Sequence, residues 1–246
     1  MATAYLVLNG LRVTLALCFV VPDDDTVKVL DTLLTRVKGQ GLQLSCLLLD
    51  KGFDSIAVRE DFTRQGQPAL IACTIRGTTG GRRALCQGHK SYSTPHTFQG
   101  TQGTEFTAAL VVCRVFTTAR RTARLQRRAE WLLFIQLGLA LSPRSARQLY
   151  RGRFGIETSY RGEGRVRGWT TAKNPAYRFV LLALAFVLLK VWIHLRWLFT
   201  QVPQRGRRWL DTSRFQLGRF VKFLQRALEA WYGCIRTITA PALPLG

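Results

Sequence analysis

One candidate catalytic residue is an acid at the end of an apolar run. Asp50 follows LQLSCLLL at 42–49 and precedes Lys51-Gly52. A carboxylate just past a buried strand projects from the carboxyl edge of a sheet, where open α/β sheets bind their ligands. The competing interpretation is that Asp50 only forms the turn that ends the strand.

A second set of such residues has helical spacing. Tyr150, Arg153, Glu157 and Arg161 stand at i, i+3, i+7 and i+11, so on one continuous helix they share an arc of about 80°. The alternative is a set of surface ion pairs worth a few tenths of a kcal/mol each. Glu157 is one of only five acids after residue 113. This scarcity favours a metal-binding carboxylate held among phosphate-binding guanidinium groups.

The charge of the chain is strongly asymmetric. The sequence holds 36 Lys and Arg against 14 Asp and Glu, a net charge of +22. Residues 1–113 carry 11 basic against 9 acidic residues, whereas residues 114–246 carry 25 against 5, and 22 of those 25 are Arg. A solvated charged face normally mixes both signs, so this half predicts a polyanionic partner. Nucleic acid is favoured over an anionic membrane surface.

The two chemical motifs resemble those of a known enzyme family. Asp50 in LLLDKGFDS and the block YRGRFGIETSYR are similar to the second acidic motif and the Tyr-x2-Arg-x3-Glu signature of DDE transposases of the insertion-sequence-four group, particularly its archaeal and cyanobacterial branch. The similarity extends from ATAYLVLNG to the helix ending in LRW. It implies a ribonuclease H-like α/β fold with a mixed sheet, and a β-rich insertion between the second and third acidic residues.

The resemblance also implies a reaction. Two divalent cations, usually Mg²⁺ with Mn²⁺ as a substitute, are held by three carboxylates and promote in-line displacement at a phosphodiester. Matched by motif, Asp50 and Glu157 are catalytic metal ligands, and Tyr150 and Arg153 position the backbone of the transposon end. The partners implied are double-stranded DNA, as transposon end and target, and a second copy of the chain in an active homodimer.

Further basic residues are candidate DNA contacts. They are Arg161 and Arg165 beside the motif, and the cluster Arg120, Arg121, Arg127 and Arg128.

Two departures from the family pattern bear on activity. The signature continues to a Lys seven residues after Glu157, but position 164 is Gly, with Arg161 and Arg165 as the nearest basic residues. The first catalytic aspartate belongs on a strand before residue 4, and the acids at 23–25 are out of place for it. We therefore expect the product of an amino-terminally truncated reading frame, which still binds DNA but is impaired in catalysis.

The apolar pattern predicts the elements that position Asp50. Asn9-Gly10 joins two β-branched runs, 4–9 and 11–21, as a hairpin. The acids at 23–25 cap a helix that ends at Gly39 and Gly41, which is favoured over a catalytic role. A strand at 42–49, a helix at 55–65 and a strand at 68–75 complete a mixed sheet covered by helices, a partial core spanning 1–75.

The remainder of the chain is predicted to be a β-rich insertion followed by basic helices. Gly, Thr, Ser and Gln are frequent over 76–105, and a strand at 106–117 closes the insertion at 76–117. A helical region is predicted from Ala119 and completes the core over 118–200. It contains a helix near 144–162 and a longer one that Asn174 and Pro175 begin and Pro203 ends. Over 201–246, a basic amphipathic helix is predicted at about 206–232.

Several other classes are disfavoured. Six cysteines show no CxxC or Cys/His cluster, so no zinc site is expected and a reducing cytosol is indicated. No signal peptide is expected. The apolar run at 179–189 is shorter than a membrane span of about 20 residues, and Lys190 follows it, so a buried core helix is favoured. The protein is expected to be cytoplasmic and nucleoid-associated.

Two rival functions remain open. One is a DNA-binding module without enzymatic ancestry, for which Asp50 and Glu157 would lie far apart. The other is a basic membrane-associated protein using the helix at 175–199.

Overall fold

The computed structural model describes residues 1–8, 11–75, 77, 79–100, 103–121, 124–204, 207–211 and 213–233, with the backbone alone at a few positions. Its strands are β1 Ala2–Leu8, β2 Leu11–Cys18, β3 Leu47–Leu49, β4 Ala69–Cys73, β5 Tyr92–Gln99, β6 Glu105–Arg121, β7 Arg124–Leu137, β8 Gln201–Gln204 and β9 Arg207–Leu210. Its helices are α1 Thr26–Lys38, α2 Ile56–Arg64, α3 Pro143–Arg151, α4 Gly155–Val166, α5 Pro175–Phe199 and α6 Leu217–Tyr232. The protein is therefore mixed α/β, as predicted.

The chain divides into two units. The first holds Met1–Val7 and Leu15–Ile156, and the second holds Leu8–Thr14 and Glu157–Gly246. The boundary falls between Arg153 and Glu157, two residues of one predicted motif.

A five-stranded mixed sheet forms the centre of the first unit. Its strand order is β3-β4-β7-β6-β5. β3 and β4 are parallel, with Leu47 opposite Ala69, and the other neighbours are antiparallel. The strand β5 and most of β6 fall in the predicted insertion at 76–117, and both therefore belong to the same sheet as β3 and β4.

Helices pack on both faces of this sheet because its central strands are apolar on both sides. On one face, Ile71 and Ile135 pack with Leu34 of α1 and Phe62 of α2. On the other face, Leu70, Val111 and Phe134 pack with Ala146 and Tyr150 of α3. Every residue of β4 is buried, as expected for a central strand covered on both faces.

The two amino-terminal strands pair with each other, as predicted, but they lie elsewhere than expected. β1 and β2 form a separate two-stranded sheet and do not join β3 and β4. Ala16 of β2 packs against Val29, Leu33 and Val37 of α1. Asp25 caps α1 by accepting a hydrogen bond from the Val27 amide at 2.9 Å, so the capping role of this acid is confirmed. The Asn9-Gly10 turn lies outside the described residues.

The prediction of helix from Ala119 is wrong, because β6 and β7 continue through this region. Residues 113–121 and 124–132 pair with each other beyond the ends of β4 and β5. The short continuous apolar runs in FTAALVVC and WLLFIQL favour buried strands, and the register extends the pairing to Arg121 opposite Arg124. We call residues 113–121 and 124–132 the arm. At about 3.4 Å per residue it is roughly 30 Å long.

The predicted helix at 144–162 is interrupted. α3 ends at Arg151, a 3₁₀ turn covers Gly152–Phe154, and α4 begins at Gly155. Gly152 and Gly155 lower the helical propensity at this point. The shared face predicted for Tyr150, Arg153, Glu157 and Arg161 on one continuous helix is therefore wrong.

In the second unit, the predicted bounds of α5 agree with the structure, but the prediction that it is a buried core helix is wrong, because only 17% of its most apolar window is buried. For α6 the predicted end is confirmed and the predicted start is wrong. Asn174 caps α5 through the Ala176 and Tyr177 amides, as predicted. α5 ends at Phe199 with Thr200 as its cap, before Pro203, which lies in β8. The last helix begins at Leu217, because residues 207–210 form β9, which pairs with β8.

Candidate functional site

Asp50 lies where β3 ends, at the carboxyl edge of the sheet, as predicted. Its Oδ1 accepts a hydrogen bond from the Lys51 amide at 2.7 Å and caps the 3₁₀ turn Lys51–Phe53. The side chain is 49% exposed. The turn-forming role is therefore real, but it uses one carboxylate oxygen and leaves the other open to another partner.

Tyr150 joins α3 to this edge of the sheet. Its hydroxyl donates a hydrogen bond to the Leu49 carbonyl at 3.2 Å, and its ring lies 4.7 Å from that of Phe134. Burial raises the pKa of Tyr150 to about 12, and the nearby Arg153 guanidinium opposes this shift only in part. The side chain is 6% exposed. The Tyr150 side chain is thus packed against the sheet and bonded to the Leu49 carbonyl, and its contact with DNA stays a prediction.

Arg153 provides the second partner of Asp50. Its Nη2 lies 2.5 Å from Asp50 Oδ2, and its guanidinium carbon lies 5.6 Å from the centre of the Tyr150 ring. The Arg153 side chain is 16% exposed. The structure thus brings together three of the predicted site residues, Asp50, Tyr150 and Arg153, although about 100 positions separate the first from the other two.

The other motif residues belong to the second unit. The backbone of Glu157 lies in the first turn of α4, and its side chain lies outside the described part of the structure. The separation of the Asp50 and Glu157 carboxylates therefore stays a prediction. Arg161 and Arg165 lie on α4 with exposed side chains.

A neighbouring acid, Asp54, is fully engaged in a buried cluster. It forms ion pairs with Arg59 and with Arg82 Nη1, the latter at 2.7 Å, and its side chain is 2% exposed. Burial disfavours its charged form, but the hydrogen bonds and charges of Arg82 and Arg59 outweigh burial and lower the pKa of Asp54. The Arg59 guanidinium carbon also lies 4.0 Å from the centre of the Phe98 ring. Both carboxylate oxygens of Asp54 therefore have partners within this cluster, Arg59 for Oδ1 and Arg82 for Oδ2.

The described residues provide little for a metal ion. Over this part of the chain, no group of three or more His, Cys, Asp and Glu side chains is placed to hold one. Asp50 is the acid that remains half-exposed at the site, and Arg153 offsets its charge. This set alone does not fit two divalent cations.

The four arginines predicted to contact DNA lie on the arm. Arg120, Arg121 and Arg127 are described by their backbone, with Thr118 opposite Arg127 and Thr117 opposite Arg128. Arg128 has an exposed side chain. The backbone register places Arg121 opposite Arg124 and Arg120 opposite Leu125, so this end of the arm is rich in arginine.

A cavity of the first unit holds further arginines that the sequence did not single out. Its volume is about 340 Å³, and Arg114, Arg144 and Arg147 line it with Ser91 and Ser142. Arg144 and Arg147 lie one turn apart near the start of α3, a spacing that the sequence does show. Arg114 comes from β6 and donates to the His89 carbonyl at 3.3 Å, a tertiary contact without a sequence signal.

One helix in the described part of the chain, α5, is long and apolar enough to cross a membrane, by length and composition alone. Its most apolar 18-residue window has a mean hydropathy of 2.0. A core helix of a soluble protein passes the same test, so this is weak evidence.

Comparison with known proteins adds no identification. No protein-family model matches the chain, and no curated protein matches it. The resemblance to DDE transposases therefore rests on the residues of the two motifs.

Proposed function

We propose that this chain is a DNA-binding protein of the DDE transposase type, with Asp50 and Arg153 at the phosphodiester of a transposon end and Glu157 as the further metal ligand that the family motif implies. The observation that carries the proposal is the ion pair between Asp50 and Arg153 at the end of β3. Two motifs recognised separately in the sequence meet there, although about 100 residues separate them. An unrelated pair of motifs would meet in this way only by chance.

The chemistry assigned to each residue follows from its surroundings. Asp50 is half-exposed and accepts a hydrogen bond from its own turn, so its carboxylate is held in one orientation. Arg153 is a planar guanidinium beside it that suits a phosphate oxygen. When DNA enters, the phosphate competes with Asp50 for Arg153, and the released carboxylate becomes available for a cation. The hydrogen bond from Tyr150 to the Leu49 carbonyl holds the end of α3 next to Asp50.

Mg²⁺ remains the proposed cofactor, with Asp50 and Glu157 as its ligands. In the family, two such cations activate the attacking oxygen and stabilise the leaving oxygen. The described residues alone do not fit that pair of ions, and by themselves they support no cleavage step.

The arm and the arginine cavity support DNA binding independently of the acids. A two-stranded β-ribbon fits the major groove of B-form DNA, which is about 12 Å wide. The arm carries Arg120, Arg121, Arg127 and Arg128 near its end, where their positive charge suits the DNA backbone. Arg114, Arg144 and Arg147 would contact the phosphate backbone outside it.

The ribonuclease H-like architecture is part of the proposal. The parallel pair β3 and β4, with helices on both faces of the sheet, supports it. The separate hairpin β1–β2 departs from that architecture, in which the hairpin joins the central sheet. The proposed homodimer and cytoplasmic location follow from the same family resemblance.

Mn²⁺ binding tests the site. The protein is titrated with Mn²⁺ in the presence of duplex DNA, and the electron paramagnetic resonance signal of the free ion measures binding. We expect the wild-type protein to bind Mn²⁺, and both Asp50→Asn and Glu157→Gln to weaken this binding. The control is Asp23→Asn, an exposed acid outside the site. Equal Mn²⁺ binding by all four proteins would contradict the site.

A second candidate is a DNA-binding module that does not cleave DNA. Arg153 offsets the charge of Asp50, which weakens this acid as a metal ligand and so favours a protein that does not cleave DNA. In that case DNA binding persists unchanged in Asp50→Asn and Glu157→Gln, and no Mn²⁺ binding depends on either acid.

A further inference from the structure

The arginine cavity of the first unit is built from three separate parts of the chain. Ser91 precedes β5, Cys113 and Arg114 lie on β6, and residues 142–147 are the cap and first turns of α3. The Cys113 thiol donates a hydrogen bond to the Pro143 carbonyl at 3.3 Å. The Arg114 amide donates one to Ser91 Oγ at 2.9 Å. These bonds hold the three parts together, so the cavity is a fixed part of the fold.

The cavity concentrates positive charge without a carboxylate to balance it. Arg114, Arg144 and Arg147 line it, and its other lining residues are Ser, Cys and Pro. Over the part of the chain that the structure describes, none of the three guanidinium groups forms an ion pair with an acid. Like charges around one space repel one another, and an anion bound between them relieves that repulsion. The cavity therefore suits an anionic ligand.

One of the three guanidinium groups is held in position by the protein itself. Arg114 Nη1 donates a hydrogen bond to the His89 carbonyl at 3.3 Å and lies 3.1 Å from His89 Nδ1. The Arg114 guanidinium carbon lies 5.2 Å from the centre of the Phe116 ring. Arg144 and Arg147 are one turn apart on α3 and have exposed side chains. The cavity thus combines one fixed guanidinium from β6 with two from α3, each of which can bind two phosphate oxygens.

The start of α3 adds a backbone donor to this set. Ser142 accepts hydrogen bonds from the Ser145 amide through its side chain and from the Ala146 amide through its carbonyl. Pro143 has no N–H group to donate. Among the described residues, the Arg144 amide has no protein acceptor. It is therefore available to a ligand at the positive end of the helix dipole, where phosphates commonly bind.

A phosphomonoester matches these groups better than a phosphodiester does. Near neutral pH it carries a charge of about −1.5 to −2 and has three terminal oxygens. A phosphate within a nucleic-acid strand carries a single charge, and its strand has to leave the site on both sides. At about 340 Å³ the cavity lies at the lower end of the range of small-molecule sites, which is roughly 300–1,000 Å³. It can therefore hold a terminal phosphate and part of the group attached to it.

We propose that the arginine cavity binds a terminal phosphate, a phosphomonoester carried by a free nucleotide or by the 5′ end of a DNA strand. Arg144 and Arg147 bind the terminal oxygens, and Arg114 balances the second negative charge. The inference deepens the phosphate contact proposed above for this cavity, and its DNA source rests on that proposed function. Its nucleotide source does not, because a free nucleotide needs no DNA contact elsewhere in the chain.

Calorimetric titration of the full protein with adenosine 5′-monophosphate tests the site. The wild-type protein should bind this monoester at least tenfold more tightly than cyclic adenosine 3′,5′-monophosphate, the matching diester. Arg144→Gln/Arg147→Gln should weaken binding of the monoester at least 100-fold, because each lost charge-assisted contact costs about tenfold or more. Both side chains are exposed, so the variant should keep its circular dichroism spectrum.

The matched control removes two positive charges from elsewhere in the same unit. Lys28→Gln/Lys38→Gln changes two exposed residues of α1 and should leave nucleotide binding unchanged. Equal binding of the monoester and the cyclic diester would overturn the inference, because the cavity would then not select a terminal phosphate. Equal binding of the monoester by the wild type and Arg144→Gln/Arg147→Gln would overturn it as well.

A duplex with or without a 5′-phosphate distinguishes the two sources. Fluorescence anisotropy should show about a tenfold preference for the phosphorylated duplex, lost in Arg144→Gln/Arg147→Gln, if the ligand is a DNA end. Nucleotide binding without this preference would assign the cavity to a free nucleotide. A protein that neither binds the nucleotide nor prefers the phosphorylated duplex would overturn the inference. A protein that binds the nucleotide through these arginines but binds no DNA would contradict the proposed function alone.

Discussion

Tyr150 donates its hydroxyl to the backbone carbonyl of Leu49 across 3.2 Å, although the two residues are 101 positions apart. This bond fixes the end of α3 next to the residue that precedes Asp50. The Arg153 guanidinium then comes within 2.5 Å of the Asp50 carboxylate from the turn after α3. One buried hydrogen bond therefore sets the geometry of the candidate site.

Tyr150→Phe should lower the free energy of unfolding by about 1–2 kcal/mol, because a buried carbonyl is left without its donor. It should also change the response to alkali. Since burial raises the pKa of Tyr150 from 10.0 to about 12, the unfolded chain loses this proton first, and stability falls as pH rises from about 10 to about 12. Urea denaturation at pH 7 and pH 10.5 measures both effects.

In the variant, this contribution to alkaline destabilisation disappears. The matched control is Tyr177→Phe, whose ring is 49% exposed, and it should leave both quantities unchanged. A variant at Tyr150 as stable as the wild type at pH 7 would show that the bond to Leu49 contributes nothing to the site.

Asp54→Asn should destabilise the fold by about 3 kcal/mol or more, because Arg59 would be left buried with an uncompensated charge. The pKa of Asp54 is lowered from 3.8, so its carboxylate stabilises the fold above about pH 4, and this stability is lost as pH falls through the lowered pKa. Urea unfolding at pH 7, 5 and 3 should therefore show a weaker loss of stability in acid for the variant. Asp23→Asn is the control, and an equal acid response in Asp54→Asn would refute the role of this cluster.

The elements around Asp50 could be predicted because local signals were strong. The cap at Asp25, the helical spacing of Leu30, Leu33 and Leu34, and the continuous apolar run of β4 each agree with the structure. The cap of α5 at Asn174 was equally plain. In these places local propensity and tertiary packing favour the same element.

The arm and the break after α3 could not be predicted from local signals. Residues 118–121 and 124–128 are rich in Arg, and the long register between β6 and β7, a tertiary feature, fixes them as strand. The prediction that Tyr150 and Glu157 share one helical face is wrong because the turn at Gly152–Phe154 separates α3 from α4. The contact of Tyr150 with Leu49 depends on tertiary packing, which no periodicity reveals.

Neutralising the arm should reduce the salt dependence of DNA binding. Removing one phosphate-binding charge flattens the slope of log affinity against log salt concentration by about 1, so replacing Arg120, Arg121, Arg127 and Arg128 with Gln should flatten it by up to about 4. Fluorescence anisotropy with a labelled duplex at several salt concentrations measures the slope. Gln at the exposed Lys28, Lys38 and Lys90 of the nearly neutral half is the control. An unchanged slope in the arm variant would show that these four arginines do not contact DNA.

Cleavage of DNA is the step that this chain should not perform. Two divalent cations about 3.5–4 Å apart repel each other, and several carboxylates are needed to hold them. The motif residues provide two, Asp50 and Glu157, and Arg153 offsets the first, while Asp54 is held by Arg59 and Arg82. The purified protein should therefore bind a supercoiled plasmid in millimolar Mg²⁺ without converting it to open circles. Nicking that requires Mg²⁺ and is abolished in Glu157→Ala would contradict this prediction while supporting the proposed transposase site.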